Sequence, residues 1–334
     1  MSNKIVRWGI ISTANIGMEK VTPGIMKSAH SKVTAICSRN LETAKAAAAK
    51  LGIENAYGSY EEMLADPDID AVYNPLPNHL HVELTLAAAK AGKHVLCEKP
   101  MAMNVADAER LRNAPKDIII SEAFMVRYHP QWLRAREIIR SGELGTIRSV
   151  NAVFTYFNDD PNNVRNMADI GGGAIMDIGC YPVTAGRFFF DSEPKRVVTL
   201  IDRDPTFKTD RFSSTIADFG DGKQLAFTVS TQAVPTQRFE IIGTKARIEM
   251  MIPVNAPADE PTAIIIDHGL NLDGSLTRRE IIPACDQYCE QAETFALAVL
   301  GEKPLIYGVE DAILSMRVLD AIFKSEKSGA WEIV

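Results

Sequence analysis

Short apolar runs alternate with helical patterns in the first third of the chain. The apolar runs, which predict buried strands, are 5–11, 33–37, 71–73, 94–97 and 118–120. The helical patterns between them are 16–28, 41–51, 60–65, 79–91 and 105–113. Strands that are apolar on both faces and alternate with helices are typical of a parallel sheet covered on both sides. We therefore predict a doubly wound α/β domain over residues 1–121.

The pattern changes after residue 121. A helix predicted at 130–141 precedes strands with alternating apolar and polar positions, at 147–157, 197–201, 213–219, 224–231, 239–242, 246–251 and 263–266. Two further helices are predicted at 287–300 and 309–326. Alternation indicates a largely antiparallel sheet that is open on one face, so residues 122–334 are predicted to form an α+β domain for substrate binding and oligomerisation. In this prediction the C-terminal helix packs either on the second domain or back on the first.

Composition excludes several classes of partner. The chain has 334 residues, a net charge of −7 and no long Lys/Arg cluster, so neither nucleic acid nor a membrane is an expected partner. No apolar stretch approaches the ~20 residues of a membrane span, and the first residues lack the apolar core of a secretory signal. Five scattered cysteines without a Cys-x-x-Cys pair indicate free thiols in the cytoplasm, and no metal site is expected.

A turn of small residues follows the first predicted strand. A dinucleotide-binding turn reads Gly-x-Gly-x-x-Gly there, and the three positions are Ser12, Ala14 and Gly17 in this chain. Ser and Ala are small enough for the backbone to approach a pyrophosphate, which helix N-terminal amides favour. The pattern predicts a Rossmann-type domain with cofactor contacts from Ser12, Thr13, Ala14, Asn15, Ile16 and Gly17.

The end of the second strand distinguishes between the two nicotinamide dinucleotides. NAD enzymes usually place Asp or Glu there to bind the ribose 2′-hydroxyl, whereas this chain has Ser38 and Arg39. A guanidinium pairs with a phosphate and a carboxylate repels it. Arg39 therefore favours NADP over NAD, although a surface arginine opening the next helix is the alternative.

Two further constellations carry candidate chemistry. Lys99 follows the apolar run 94–97, and ligands of a doubly wound sheet bind at the carboxyl ends of its strands, so we expect Lys99 at the cofactor cleft. Farther along, a glycine-rich turn leads into a predicted helix on which Asp177 and Tyr181 are four residues apart and share a face. A carboxylate and a phenol on one face suit substrate orientation and proton transfer.

Three segments occur in a fixed order: Pro77-Asn78-x-x-His81, Glu98-Lys99-Pro100 and Gly172-Gly173-Ala174-x-x-Asp177-x-Gly179-x-Tyr181. Together they resemble the glucose–fructose oxidoreductase / inositol 2-dehydrogenase family over nearly the whole chain. The segment 121–130, which reads SEAFMVRYHP, is similar to the branch with NADP-dependent D-xylose 1-dehydrogenase and dimeric dihydrodiol dehydrogenase.

The resemblance implies roles for individual residues. Lys99 would be the catalytic lysine, Tyr181 the acid/base group and Asp177 its neighbour at the substrate, with Arg165 as a further substrate contact. Many members have His where this chain has Tyr181. Further cofactor contacts implied by the resemblance and by the strand ends are Ser38, Arg39, Pro75, Leu76, Asn78, His81, Glu98, Lys99 and Arg127.

The implied activity is hydride transfer between NADP and a carbinol or carbonyl carbon of a sugar or polyol, most simply C1 of an aldose. A nearby ammonium from Lys99 would lower the Tyr181 pKa from its usual ~10, and either residue could be the formal acid/base. A trans-dihydrodiol, an inositol or a keto-sugar remains an alternative substrate.

Two functions outside this family are the alternatives. A short-chain dehydrogenase would need Tyr-x-x-x-Lys, which is absent. A non-catalytic NADP(H) sensor would need the fingerprint but not the set Lys99, Asp177 and Tyr181. Phe154, Tyr156 and Phe157 are interpreted as ordinary strand residues rather than pocket lining. The open sheet face predicts a homodimer or homotetramer.

Overall fold

The computed structural model describes residues 4–334. Their contacts divide into two compact units, the first reaching Met125 and including Asp286–Ile313, the second containing Val126–Cys285 and Leu314–Val334. This division differs from the one expected from the sequence, in which everything after residue 121 belonged to the second domain.

The first unit is built on a parallel sheet of six strands in the order β3-β2-β1-β4-β5-β6. The strands are β1 (Val6–Ile11), β2 (Ser31–Cys37), β3 (Asn55–Tyr57), β4 (Ala71–Asn74), β5 (His94–Cys97) and β6 (Ile120–Glu122). The chain order reverses between β1 and β4, which makes their carboxyl ends the ligand-binding edge of such a sheet. The short strand β3 was not predicted, because its three half-exposed residues carry no apolar run.

Helices connect the strands of the first unit. They are α1 (Thr22–Lys27), α2 (Leu41–Leu51), α3 (Tyr60–Leu64), α4 (His81–Lys90) and α5 (Val105–Glu109). A π-helical turn, Gly17–Val21, precedes α1 directly. Residues 16–28 were predicted as one regular helix, and the structure replaces its first half by this wider turn.

A late helix, α8 (Gln287–Val299), belongs to the first unit because its apolar face completes that unit's core. Phe295 packs on Trp8 of β1 with ring centroids 5.2 Å apart. Glu293 accepts hydrogen bonds from the Ser28 hydroxyl at 2.7 Å and from the His30 amide at 3.1 Å. These contacts place α8 in the first compact unit, whereas the division expected from chain order assigned it to the second domain.

The second unit is built on a sheet of nine strands in the order β14-β13-β12-β11-β7-β10-β9-β8-β15. Only the pair β7 and β10 is parallel among the described strand pairs. The strands are β7 (Ile147–Phe157), β8 (Arg196–Arg203), β9 (Asp210–Gly220), β10 (Lys223–Ser230), β11 (Gln232–Gly243), β12 (Arg247–Met250), β13 (Thr262–Asp267), β14 (Arg278–Ile282) and β15 (Glu332–Ile333). The predicted fold class, a doubly wound parallel sheet plus an α+β domain with a largely antiparallel sheet, is confirmed.

Three helices accompany this sheet: α6 (Pro130–Arg140), α7 (Cys180–Phe190) and α9 (Val309–Ser328), of which α9 begins in the first unit. A π-helical turn, Ile175–Gly179, precedes α7. Trp132 of α6 stacks on Phe189 of α7 with centroids 5.1 Å apart, and its indole N–H donates to the Pro253 carbonyl at 2.6 Å. One sheet face is thereby covered.

The other face of this sheet carries two rows of directly opposed residues across five strands. The first row is Leu200, Ser214, Thr228, Val153 and Arg238, and the second is Val198, Ile216, Ala226, Asn151 and Glu240. We call these ten residues the open face. Leu200 is 78% exposed and Ile216 is 44% exposed, so apolar surface is left uncovered within the single chain.

No described helix is long and apolar enough to span a bilayer. None of the five cysteines forms a disulfide within the described residues, where no cluster of His, Cys, Asp and Glu suited to a metal ion occurs either.

Candidate active site

The turn after β1 is shaped by Ser12. This residue has a φ of 102°, a conformation rare for residues other than glycine. Its amide donates to the Cys37 carbonyl at 3.0 Å, and its hydroxyl accepts a hydrogen bond from the Ala14 amide at 3.1 Å. The serine hydroxyl therefore holds the turn closed at the position where the fingerprint usually has glycine.

Gly17 lies beside the carboxyl end of β4, and a Cβ atom would fit at this position. A Cβ atom there would lie 3.5 Å from Tyr73 Cε1 and 3.6 Å from Pro75 Cγ, which is already van der Waals contact. The first amides of a helix have no intrahelical acceptors and attract an anion. With small residues at Ser12 and Ala14, the turn fits the pyrophosphate of a dinucleotide.

Arg39 lies exposed at the carboxyl end of β2. The backbone beside it is fixed, because the Ser38 amide donates to the Tyr57 carbonyl at 3.2 Å and Asn40 caps α2 by accepting from the Thr43 amide at 3.1 Å. The Arg39 side chain is open to solvent at this edge of the sheet, and its contact with a 2′-phosphate stays a prediction.

His81 has a structural position that the sequence did not indicate. It is 1% exposed, and its ring nitrogens lie 2.8 Å from the Pro100 carbonyl oxygen (Nδ1) and 2.6 Å from that of Leu76 (Nε2). Burial lowers the pKa of His81 to about 4, although both carbonyl oxygens act in the opposite direction. The ring thus braces the loop after β4 against the loop after β5, and a cofactor contact of His81 stays a prediction.

Lys99 follows β5 within a network of carboxylates and phenols. Glu98 Oε1 accepts a hydrogen bond from the Tyr73 hydroxyl at 2.6 Å, and Glu98 Oε2 accepts from the Lys99 amide at 3.3 Å. The Met101 amide donates to Glu122 Oε1 at 2.8 Å. Lys99 itself is half-buried, and the peptide bond to Pro100 is cis. The lysine backbone is thus anchored on both sides.

Tyr288 of α8 lies close enough to Glu98 and Lys99 for their charges to act on its phenol, and the sequence did not indicate this proximity. Burial raises the pKa of the Tyr288 phenol and the Glu98 carboxylate adds to this, whereas the Lys99 ammonium acts in the opposite direction. The tyrosine is nearly 190 residues away from Lys99 in the chain. It comes close only because α8 returns to the first unit.

Asp177 is the centre of a cluster in the second unit. Its Oδ2 accepts hydrogen bonds from the Tyr156 hydroxyl at 2.6 Å and from Arg165 Nε at 2.8 Å. The carboxylate raises the pKa of Arg165, and burial together with that carboxylate raises the pKa of Tyr156. Tyr156 is therefore a neutral donor and Arg165 a permanent cation near neutral pH.

The glycine turn brings Arg165 and Asp177 together. A Cβ atom on Gly172 would lie 2.6 Å from the Arg165 carbonyl oxygen and 2.7 Å from that of Met167, so only glycine fits there. The Gly173 amide donates to the Arg165 carbonyl at 2.9 Å. The turn thus packs against the segment that carries Arg165, whose side chain keeps 43% of its surface exposed beside an Asp177 side chain that is 14% exposed.

Tyr181 lies one helical turn beyond Asp177, in α7. It is 6% exposed, and its ring packs on Phe154 of β7 with centroids 5.9 Å apart. Phe154 and Tyr156 point to the same side of β7, so one supports the Tyr181 ring and the other binds Asp177. Tyr156, interpreted from the sequence as an ordinary strand residue, therefore also contacts the predicted site residue Asp177, and its period-two spacing from Phe154 is the sequence signal for this placement.

The predicted site residues are thus distributed over both units. The first unit holds the dinucleotide turn, Arg39 and Lys99, and the second brings together Asp177, Arg165 and Tyr181. Arg127 is only 3% exposed. Pro75 and Leu76 are also buried, and Asn78 is half-buried.

Comparisons with known proteins agree with this arrangement. A family model described as "Oxidoreductase family, NAD-binding Rossmann fold" matches residues 6–117, and one described as "GFO/IDH/MocA C-terminal domain" matches residues 132–249. The chain is 44% identical to the uncharacterized oxidoreductase ORF334 of Rhizobium meliloti, over 99% of each chain. It is 37% identical to D-xylose 1-dehydrogenase (NADP(+)) 2 of Haloferax volcanii, over 97% of this chain and 98% of the other.

A solved structure shows a similar fold. It is that of KijD10, a 3-ketoreductase from Actinomadura kijaniata, in complex with NADP and TDP-benzene. The TM-score is 0.89 at 29% identity, covering 96% of this chain and 98% of the other.

Replacing Tyr156 by Phe tests the cluster around Asp177. The change removes one of the two hydrogen bonds to Asp177 Oδ2 and leaves the ring in place, so we expect kcat/KM to fall roughly tenfold with an unchanged circular dichroism spectrum. Tyr57→Phe is the matched control, because the Tyr57 hydroxyl donates to Asp66 at 2.7 Å in the first unit. Equal effects of the two changes on kcat/KM would contradict a special role for Tyr156.

Proposed function

Because the chain belongs to the GFO/IDH/MocA family of oxidoreductases, we propose that it is an NADP-dependent dehydrogenase of a sugar-like polyol, most simply of an aldose at C1. One observation carries the proposal above others. Asp177 holds a guanidinium and a phenol in a partly exposed cluster one helical turn from Tyr181. A carboxylate and a guanidinium side by side suit the hydroxyl groups of a polyol, which both donate and accept hydrogen bonds.

The first unit supplies residues suited to the cofactor. The turn Ser12–Gly17 would receive the pyrophosphate, and Arg39 would pair with a 2′-phosphate. Residues 38–40 after that strand are Ser, Arg and Asn, so none of them carries the carboxylate usual in NAD enzymes. Bound there, the nicotinamide takes up or gives a hydride. The relative from Haloferax volcanii carries NADP(+) in its name, which supports the same choice here.

Lys99 and Tyr181 are the proposed proton-handling pair. Oxidation of a carbinol requires its hydroxyl proton to leave, and reduction of a carbonyl requires one to be returned. The Lys99 ammonium would hydrogen-bond the reacting oxygen and stabilise negative charge on it. The Tyr181 hydroxyl would carry the proton, and either residue serves as the formal acid/base.

Asp177 and Arg165 would orient the substrate rather than exchange protons with it. The carboxylate oxygen Oδ2 already accepts two hydrogen bonds, so a proton on it would displace one donor. The guanidinium is bound through Nε, which leaves its terminal nitrogens able to donate to a substrate hydroxyl.

A second candidate function is reduction of a nucleotide-linked keto-sugar. The observation that favours it is the similarity to the 3-ketoreductase KijD10, which was solved with NADP and TDP-benzene. The chemistry at the reacting carbon is the same, and the two functions differ in direction and in whether the substrate carries a nucleotide. A trans-dihydrodiol is the third substrate class consistent with the resemblance.

The test of the function is a substrate panel followed at the absorbance of the reduced nicotinamide. Purified protein is offered NADP⁺ or NAD⁺ with pentoses, hexoses, inositols and a trans-dihydrodiol, and NADPH with keto-sugars. Turnover of an aldose with NADP⁺ supports the proposal. Turnover confined to keto-sugars with NADPH replaces it by the second candidate.

Lys99→Ala is expected to lower kcat by about 10²- to 10⁴-fold, the usual contribution of a positioned acid–base group. The affinity for NADPH, measured by fluorescence titration, should fall far less than kcat, because the proposed contacts to the pyrophosphate and the 2′-phosphate remain. Lys90→Ala, at an exposed position of α4, is the control for loss of a lysine. Full turnover of a folded, NADPH-binding Lys99→Ala variant would rule out the catalytic role. If Lys99 and Tyr181 act on one substrate, the double variant Lys99→Ala/Tyr181→Phe should lose less kcat than the product of the two single-variant losses.

Arg39→Asp is expected to lower the ratio of kcat/KM for NADP⁺ to that for NAD⁺ by more than about tenfold. The carboxylate repels a 2′-phosphate and accepts a hydrogen bond from a 2′-hydroxyl. Lys45→Asp, an equally exposed charge reversal on α2, controls for the general loss of positive charge. An unchanged ratio in the Arg39 variant would remove the argument for NADP.

The open face is proposed as the contact with a second copy of the chain, giving a homodimer or homotetramer. Its two charged residues, Arg238 and Glu240, lie together at the β11 end, and the other eight are uncharged, consistent with the depletion of charge at the core of protein interfaces. Leu200→Glu should therefore shift the protein toward monomer in analytical ultracentrifugation. Leu272→Glu, at a fully exposed leucine outside that face, should leave the assembly unchanged. A wild-type protein that sediments as a monomer would overturn this assignment.

A further inference from the structure

Asp210 is a buried carboxyl group behind the cluster of the second unit. It opens β9 and is 1% exposed. Its Oδ2 accepts a hydrogen bond from the Ile175 amide at 2.6 Å, and Ile175 begins the segment that carries Asp177. Its Oδ1 fills the space beside Gly173, where a Cβ atom would overlap it. The carboxyl group and the glycine turn therefore fit each other.

Charged and titratable groups face Asp210 from three elements. Arg203 of β8 and Glu326 of α9 form an ion pair at 2.6 Å. The Arg203 charge lowers the pKa of Asp210, and the Glu326 charge raises it. The charge of Asp210 also contributes to the raised pKa of Tyr156 in β7. Burial raises the pKa of Asp210 to about 7, although the Ile175 amide and Arg203 act in the opposite direction. The group thus changes charge near neutral pH.

We propose that Asp210 is a positioning residue whose ionised carboxylate holds the turn Gly173–Ile175, and with it Asp177 and Tyr181, in the geometry for turnover. An ionised acceptor binds the Ile175 amide more strongly than a protonated one. It also lies at the positive end of the helical segment Ile175–Phe190. The proposal deepens the proposed function, on which its activity readout rests.

The proposal predicts opposite pH trends for activity and stability. Activity should rise with pH as Asp210 loses its proton near neutrality. The folded-state pKa is raised above the ordinary value of 3.8, so the folded protein holds a proton that the unfolded chain has lost. The stability that Asp210 contributes is therefore fully present below about pH 4 and is lost as pH rises through about 7.

Asp210→Asn tests both trends, because the amide keeps an oxygen for the Ile175 N–H but cannot ionise. At pH 8 we expect kcat/KM about tenfold below wild type, since a neutral acceptor replaces a charged one. The variant should also lose the wild-type rise in kcat/KM between pH 6 and 8. The difference in Tm between wild type and variant should shrink as pH rises from 4 to 7 and stay constant above 7.

Asp204→Asn is the matched control. Asp204 is also buried and accepts backbone hydrogen bonds from Thr206 and Phe207, but it touches no residue of the glycine turn. Its hydrogen bonds outweigh the effect of burial, so that its pKa is lowered, whereas the pKa of Asp210 is raised. This variant should keep the wild-type rise in kcat/KM. An Asp210→Asn variant with that same rise would overturn the proposal.

If Asp210→Asn does not fold, the wild-type protein decides. Infrared spectroscopy should show a protonated carboxyl band that disappears near pH 7, together with the rise in kcat/KM. A band that disappears there without any change in kcat/KM overturns the positioning role, and the absence of the band overturns the ionisation. The infrared and Tm readouts need no substrate, so a failure of the proposed function is distinguishable from a failure of this inference.

Discussion

Burial of the parallel strands on both faces is the constraint on which the first unit depends. Strands β1, β4 and β5 are almost entirely buried, so they accept few polar side chains along their length. The candidate reactive groups of this unit come after the residues where the strands end. Ser12, Arg39 and Lys99 all follow the carboxyl end of a strand, and parallel strands place those ends at one edge. The same constraint produces the strand–helix pattern and locates the candidate cofactor residues.

That constraint explains why much of the first unit could be predicted from sequence. Apolar runs mark the strands, and the residues after them are read off directly, as for Lys99 after β5. The six-strand sheet was nevertheless incompletely predicted, because β3 has no apolar run of its own. His81 shows a second limit. Its position in a motif is visible, but whether its ring faces a ligand or two carbonyl oxygens depends on loops that only the fold brings together.

Residues that act through distant chain segments were the ones that sequence reasoning missed. Tyr288 reaches the neighbourhood of Lys99 only because α8 buries Phe295 against Trp8, and chain order had placed α8 in the other domain. Asp210 meets Gly173 across 37 residues of chain, through the start of β9. Tyr156 was visible as an alternating strand residue, but its partner Asp177 was assigned to a separate motif. Pairings between motifs require tertiary structure, whereas the motifs themselves do not.

The glycine turn shows why the second cluster cannot be read as a set of independent residues. Gly172 lets the turn pack on the Arg165 carbonyl, and Gly173 leaves room for the Asp210 carboxyl. The turn therefore packs at Gly172 against the segment that carries the Arg165 guanidinium, and at Gly173 against the Asp210 carboxyl group. A substitution with a Cβ atom at either glycine would separate Asp177 from its cation or from its support, although neither glycine carries any chemistry of its own. The small residues of the motif thus bring two carboxyl groups close to one backbone turn in different environments. Asp177 is partly exposed and paired with Arg165, whereas Asp210 is buried, which raises its pKa to about 7.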